Sequence, residues 1–254
     1  MGSLLWKAKR LEPKLPCRAC PLRRLPEIKP LNREQIDWIQ QRKLGQFRVS
    51  AGGAIASAGA ADERLFTLLE GWAFRHKTLP DGRRQILNIL LPGDLIGLQG
   101  ELMGTLQYDV EALTDTNLCV FRRDTMLAMY QDHPTLGLDV TWLAAHSERL
   151  SDDVLLSIGR RTALERVAML LVHLFRRAAS AGLREGDTVP FPLTQPHLAD
   201  ALGLSTVHVN RVLQRLRKQQ LIRLSEGRLA IGDLRALRRV AAYWEQPAPV
   251  RPLL

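Results

Sequence analysis

The sequence predicts an α+β fold in three parts: a β-rich N-terminal half, a long connecting helix and a C-terminal winged helix-turn-helix. Three observations predict it. Between Gly45 and Phe121, short apolar runs alternate with Gly/Pro turn signals, as in a sandwich or barrel. After Pro134 the apolar residues recur at a helical period. Leu193–Leu224 then holds two helical patterns around Gly203 and the beginning of a strand, the outline of a DNA-reading module with its wing.

Composition limits the classes of function. The 254 residues are 46% hydrophobic, enough for one large core or two ordinary ones. No apolar run approaches the ~20 residues of a membrane span. The opening MGSLLWKAKRLEPK lacks the apolar region of a signal peptide, so export is not expected. Three cysteines, an odd number, do not suggest a disulfide framework, and a reducing cytoplasm is the expected location. No nucleophile–base set and no phosphate-binding glycine loop is present, so an enzyme is not expected. Charge is unevenly placed. Residues 31–157 carry 12 Lys/Arg against 17 Asp/Glu, whereas residues 158–246 carry 15 against 7. A basic C-terminal third on an acidic middle points to a polyanion-binding module attached to a different kind of domain.

The elements follow in order. Residues 1–30 are basic and Pro-rich and read as an arm that contains Cys17-Arg-Ala-Cys20. Residues 31–133 form the β-rich domain. It is preceded by a helix over Leu31–Leu44 with Asn32 as cap, and its strands lie at Leu65–Leu69, Ile86–Leu91 and Leu118–Phe121. Over residues 134–158, Leu136, Val140, Leu143, Ser147, Leu150 and Val154 step by 4, 3, 4, 3, 4. That heptad seam suits packing against a second copy of the chain; packing on the chain's own β-domain is the alternative. Residues 159–246 form the DNA-binding domain and residues 247–254 a tail.

Within that domain Thr194 caps the first helix, Gly203 suits a left-handed turn and Ser205 caps the second helix. Val209, Val212, Leu213 and Leu216 form one buried stripe. The opposite face is then set by helix geometry: Thr206, Val207, Asn210, Arg211, Gln214, Arg215 and Lys218. Arg211 suits guanine O6/N7, Asn210 adenine and Val207 a thymine methyl. Arg215, Arg217 and Lys218 suit phosphates, which orient the protein without specifying sequence. Ser225-Glu226-Gly227 turns the wing, and Asp233 caps a last helix.

These features together resemble the Crp/Fnr family of bacterial transcription regulators. The residues that carry the likeness are Leu68-Leu69-Glu70-Gly71, Asp81-Gly82-Arg83, Pro92-Gly93-Asp94-Leu95-Ile96-Gly97, and Leu202-Gly203-Leu204-Ser205 with Val209-Asn210-Arg211. The resemblance implies a cyclic-nucleotide-binding-like jelly roll, a dimerising helix and a winged helix. It also implies a homodimer on a palindromic double-stranded operator, contacting RNA polymerase.

What the sensor domain senses is read from departures. Cyclic-nucleotide-binding relatives hold ribose with a Glu and phosphate with an Arg-Ser or Arg-Thr pair. This chain has Leu98 and Tyr108-Asp109 there, and Asp109 repels a phosphate, so that site is expected to be lost. The Fnr branch holds an oxygen-sensitive iron–sulfur cluster on four cysteines. Cys17, Cys20 and Cys119 match three of them, and the fourth position falls near Pro26. An iron–sulfur cluster on Cys17, Cys20 and Cys119, a zinc half-site and a thiol switch with pKa lowered by Arg18 are the redox and metal alternatives. A buried Cys119 with no signalling role, a ligand-free regulator controlled by its abundance, and a haem sensor using His76 remain beside them.

Overall fold

A computed structural model of the chain describes residues 15–60, 64–122, 124–243 and 250–254. The expected arm and tail therefore lie partly outside the described residues. The chain forms two compact units. The first takes its described residues from Met1–Lys77, Ile89–Glu148 and Pro249–Leu254, the second from Thr78–Asn88 and Arg149–Ala248. The boundary falls inside the long helix, not at its end, and the last residues return to the first unit.

The first unit begins with two 3-10 turns, Cys17–Ala19 and Pro21–Arg24, and then α1, Arg33–Arg42. Asn32 caps α1 through a reciprocal box with Gln35. The helix stops before the predicted Leu44 because Lys43 already pairs with Phe121 in a strand. The strands between residues 43 and 122 are β1 Lys43–Val49, β2 Ala54–Ala56, β3 Arg64–Glu70, β4 Ala73–Thr78, β5 Arg84–Leu90, β6 Leu95–Ile96, β7 Asp109–Ala112 and β8 Thr116–Arg122, most of β5 being counted with the second unit. They make two four-stranded sheets, β1-β8-β3-β6 and β2-β7-β4-β5. The turn after β3 needs Gly71: its φ is +87°, and a Cβ there would lie 2.3 Å from the Asp115 carbonyl oxygen. Among the described residues the unit also holds α2 Leu98–Met103, α3 Thr125–Asp132 and the start of α4 Pro134–Arg160.

Strands β3 and β8 are buried on both faces, with only their last residues exposed. Side chains alternate along a strand, so Cys119 and Phe121 point to one face of β8, and Leu118 and Val120 to the other. The Cys119 face carries a cluster of the two sheet residues with Leu65, Leu69, Trp38, Ile39, Leu136, Val140 and Leu143. The first half of the expected seam, Leu136, Val140 and Leu143, lies in this cluster, the packing on the chain's own β-domain that was the alternative. Leu136, Val140, Leu143 and Leu150 are buried within the chain itself. A heptad stripe is also what a helix shows when it lies on its own core. The apolar residues that α4 leaves outside are Leu138, Leu155 and Leu156.

In the second unit α5, Ala163–Ser180, supplies the central stripe of Val167, Ala168, Leu171, Val172 and Leu174. Around it lie β9 Thr188–Pro190, α6 Gln195–Leu202, α7 Thr206–Lys218, β10 Ile222–Ser225, β11 Arg228–Ile231 and α8 Leu234–Val240. The stretch before the DNA-reading helices contains β9, which completes a β10-β11-β9 sheet. The hairpin turn has positive φ at both central residues, Glu226 at 51° and Gly227 at 68°, the form whose twist matches antiparallel strands.

Candidate nucleic-acid interface and cysteine site

The α6–α7 pair is built from caps. Thr194 accepts from the His197 N–H while His197 Nδ1 accepts from the Thr194 N–H, so the first turn of α6 is closed from both sides. Gly203 ends it in the left-handed region at φ 61°. Ser205 accepts from the His208 N–H at 3.2 Å and starts α7. Val209, Leu213 and Leu216 bury the inner stripe of α7. Thr206, Val207, Arg211, Gln214, Arg215, Arg217 and Lys218 are exposed, and Val207 is 59% exposed although apolar. Free donors and one bare apolar group on a helix N-terminal half are what base edges in a major groove can use.

Asn210 behaves differently from the expectation. It is half-buried, and its Nδ2 donates to Gln195 Oε1 at 3.1 Å, so its amide ties α7 to α6. Two further features were not singled out from the sequence. His208 is exposed one residue after Val207 on the same N-terminal turn. Arg235, Arg238 and Arg239 on α8 line a cavity of about 450 Å³ with Tyr243. Their run of arginines was visible in the sequence; their convergence on one cavity was not.

The three cysteines come together in the first unit. Cys17 and Cys119 are buried and Cys20 is partly exposed. Cys17 sits in the first 3-10 turn, its N–H donating to Gln40 Oε1 of α1 at 2.5 Å. Cys119 lies in β8 between Gln46 of β1 and Thr67 of β3. Two cations share the site. Lys43 is 1% exposed and donates to the Leu15 carbonyl at 2.9 Å, and its charge acts on the Cys119 thiol. Arg23 has its Nε and Nη1 buried without a hydrogen-bond partner. Burial lowers the pKa of Arg23, and the sulfurs of Cys17, Cys20 and Cys119 oppose that shift. Burial also pushes the Cys119 thiol above its ordinary range, and Lys43 only partly offsets it. Arg18, the cation expected to activate a thiol, is held by Asp37 on the surface. The cations that act on the sulfurs are Lys43 and Arg23, and they do not overcome burial at Cys119.

These residues do not complete an Fnr-type cluster. The donor set is three thiols where four thiolates are needed, and Pro26 offers no donor. Among the described residues no group of three His, Cys, Asp or Glu side chains is placed to hold a metal ion.

At the positions of the cyclic-nucleotide contacts, Leu98 packs on the apolar cluster and the Tyr108 ring is buried with the Arg75 guanidinium 4.9 Å from its centre. Asp109 accepts from the Ala58 N–H at 3.0 Å. His76 is half-buried, its ring 5.3 Å from that of Phe74. No helix of the described residues is long and apolar enough to cross a membrane.

Comparison with known proteins agrees with this architecture. Residues 46–133 match the cyclic nucleotide-binding domain family and residues 165–240 the Crp-like helix-turn-helix domain family. The transcriptional activator protein FnrL of Cereibacter sphaeroides is 32% identical over 218 residues, 85% of this chain and 87% of that protein. The nitrogen fixation regulation protein FixK of Bradyrhizobium diazoefficiens is 30% identical over 193 residues, covering 76% and 80%. The solved structure of FixK2 from Bradyrhizobium japonicum superimposes with a TM-score of 0.71 at 26% identity, covering 79% of this chain and 98% of the other.

Proposed function

The chain belongs to the Crp/Fnr family of transcription regulators, a DNA-binding family and not one of enzymes, and from that membership we propose a redox-gated mode of action. In this reading the protein works in the cytoplasm as a homodimer on a palindromic operator and contacts RNA polymerase. Thr206, Val207, Arg211 and Gln214 of α7 read base edges, and Arg215, Arg217 and Lys218 hold phosphates. The two α7 helices of a dimer meet half-sites about one helical turn apart, ~34 Å. Leu138 and Leu156 support a dimer along α4: both are exposed, and 18 residues make five helical turns, so they share one stripe.

The signal is proposed to be the redox state of Cys17, Cys20 and Cys119 and not a cyclic nucleotide. The observation that carries this is the gathering of three thiols around Lys43 and the unpartnered guanidinium nitrogens of Arg23. Burial keeps the Cys119 thiol neutral although two cations stand beside it, so loss of a proton or of electrons at sulfur changes the charge balance of the core on which α4 packs. Anaerobic purification with iron, sulfide and thiol analysis tests it, together with operator binding before and after a peroxide. A colourless protein whose binding answers to peroxide, and loses that answer when Cys17 and Cys119 become Ser, supports the thiol reading. A brown, oxygen-bleached protein replaces it with a cluster completed by an outside ligand. Binding that ignores oxidants leaves the regulator controlled by its abundance.

A further inference from the structure

The segment Arg251–Leu254 lies beyond both family matches, which end at residues 133 and 240. It is nevertheless firmly seated in the first unit. Its main chain pairs with the arm: Arg251 N–H donates to the Glu27 carbonyl at 2.6 Å, and Lys29 N–H donates to the Arg251 carbonyl at 2.8 Å. Arg251 Nη2 donates to Asp94 Oδ1 at 2.6 Å, with the two side chains 18% and 12% exposed. Asp94 is fixed in turn by the Leu91 N–H on its other oxygen. Gly93, at φ +93°, sits against the segment: a Cβ there would be in ordinary contact with the Arg251 guanidinium at 3.5 Å and Leu253 at 3.7 Å. Leu253 and Leu254 are 3% and 7% exposed and belong to the same apolar cluster as Cys17, Leu22 and Cys119.

We propose that Arg251–Leu254 is an internal peptide ligand of the sensor unit, held between Glu27–Lys29 and Leu91–Asp94, and that its seating keeps water and reagents from Cys17 and Cys119. The site recognises an extended peptide by three features. Two main-chain hydrogen bonds set its direction, one carboxylate takes an arginine, and an apolar socket takes two leucines. The half-buried ion pair, the two main-chain hydrogen bonds and the two seated leucines act on four consecutive residues, so the segment is expected to be released as a unit. Docking stands on these contacts alone; its value as a control on signalling rests on the cysteine-gated reading above.

The test is site-resolved alkylation of the reduced, full-length protein by iodoacetamide, read by peptide mass spectrometry. Arg251→Ala, the pair Leu253→Asp with Leu254→Asp, and a chain ending at Val250 are compared with the unaltered protein. Labelling of Cys17 and Cys119 is expected to rise about tenfold or more once the segment is displaced. A synthetic peptide of residues 248–254 added to the shortened chain is expected to restore protection, and a scrambled peptide is not. Equal labelling in folded variants overturns the proposal, as does a shortened chain that the peptide fails to protect. Hydrogen exchange on the unaltered protein needs no variant: the amides of Arg251 and Lys29 are expected to be protected together, and fast exchange of both also overturns it. If protection depends on the segment but operator binding ignores oxidants, docking stands and the cysteine-gated reading falls.

Discussion

At the scale of residues, the face of α7 was legible before any coordinates because a helix with Val209, Leu213 and Leu216 inside has only one outside. Arg211→Ala is expected to cost ~1–3 kcal/mol in operator binding and to relax preference at one base pair. Binding selections against randomised half-sites check it, and uniform weakening of all sequences would reassign Arg211 to a phosphate. Lys218→Ala is expected to lower the slope of log binding constant against log salt by about one, leaving preference intact. Asn210 belongs to a different class. Its partner is Gln195, fifteen residues away in sequence, so Asn210→Ala is expected to lower stability by ~0.5–1.5 kcal/mol in thermal melts with little effect on base preference. The same limit applied at the cysteines. The apolar setting of Cys119 follows from its strand pattern, but nothing in the order of residues announces that Lys43 and Arg23 are the buried cations beside it.

At the scale of elements, caps and turns were readable because they are local. Asn32, Thr194, Ser205 and Asp233 all accept the helix N–H expected of them. Thr162 does the same for α5, in a reciprocal box with Glu165. Thr162→Ala is expected to cost ~1 kcal/mol, measured by denaturant midpoints. The Thr162 N–H and hydroxyl hold the Glu165 carboxyl below its ordinary range, so its stabilising effect is present above the unfolded value and fades as pH falls through the folded one. Glu165→Gln is therefore expected to flatten the acid side of the stability profile between about pH 6 and pH 3, by a small amount because the group is solvent-exposed. The short strand β9 was missed because three residues with a proline carry no period to detect. Its pairing with β11 depends on a partner some forty residues later in the chain.

At the scale of the whole molecule, the helix that joins the parts was legible in length and amphipathicity but not in which face meets what. The seam Leu136–Val140–Leu143 packs on the chain's own cluster, and the stripe that includes Leu138 and Leu156 is exposed, where the proposed dimer would meet. Changing Leu138 and Leu156 together to Asp is expected to lower the dimer fraction in sedimentation and to weaken binding to a full operator far more than to a single half-site. An unchanged dimer would place the interface elsewhere. Cys119→Ser is expected to leave the dimer fraction of the reduced protein unaltered, since Cys119 lies on the sheet side of the cluster and not on that stripe.

By itself the sequence determined the architecture, the boundaries of the reading helix and the identity of its exposed face. Those depend on periods of two and 3.6, on caps and on turn residues, all of which act over a few positions. Only the tertiary structure decided which of two heptad faces of α4 is internal, that Asn210 is a tie between helices, that Lys43 and Arg23 stand beside the cysteine core, and that Arg251–Leu254 seats beside Glu27–Lys29. Each of these joins residues far apart in the chain. Burial and charge compensation are properties of the packed whole, and no local pattern encodes them.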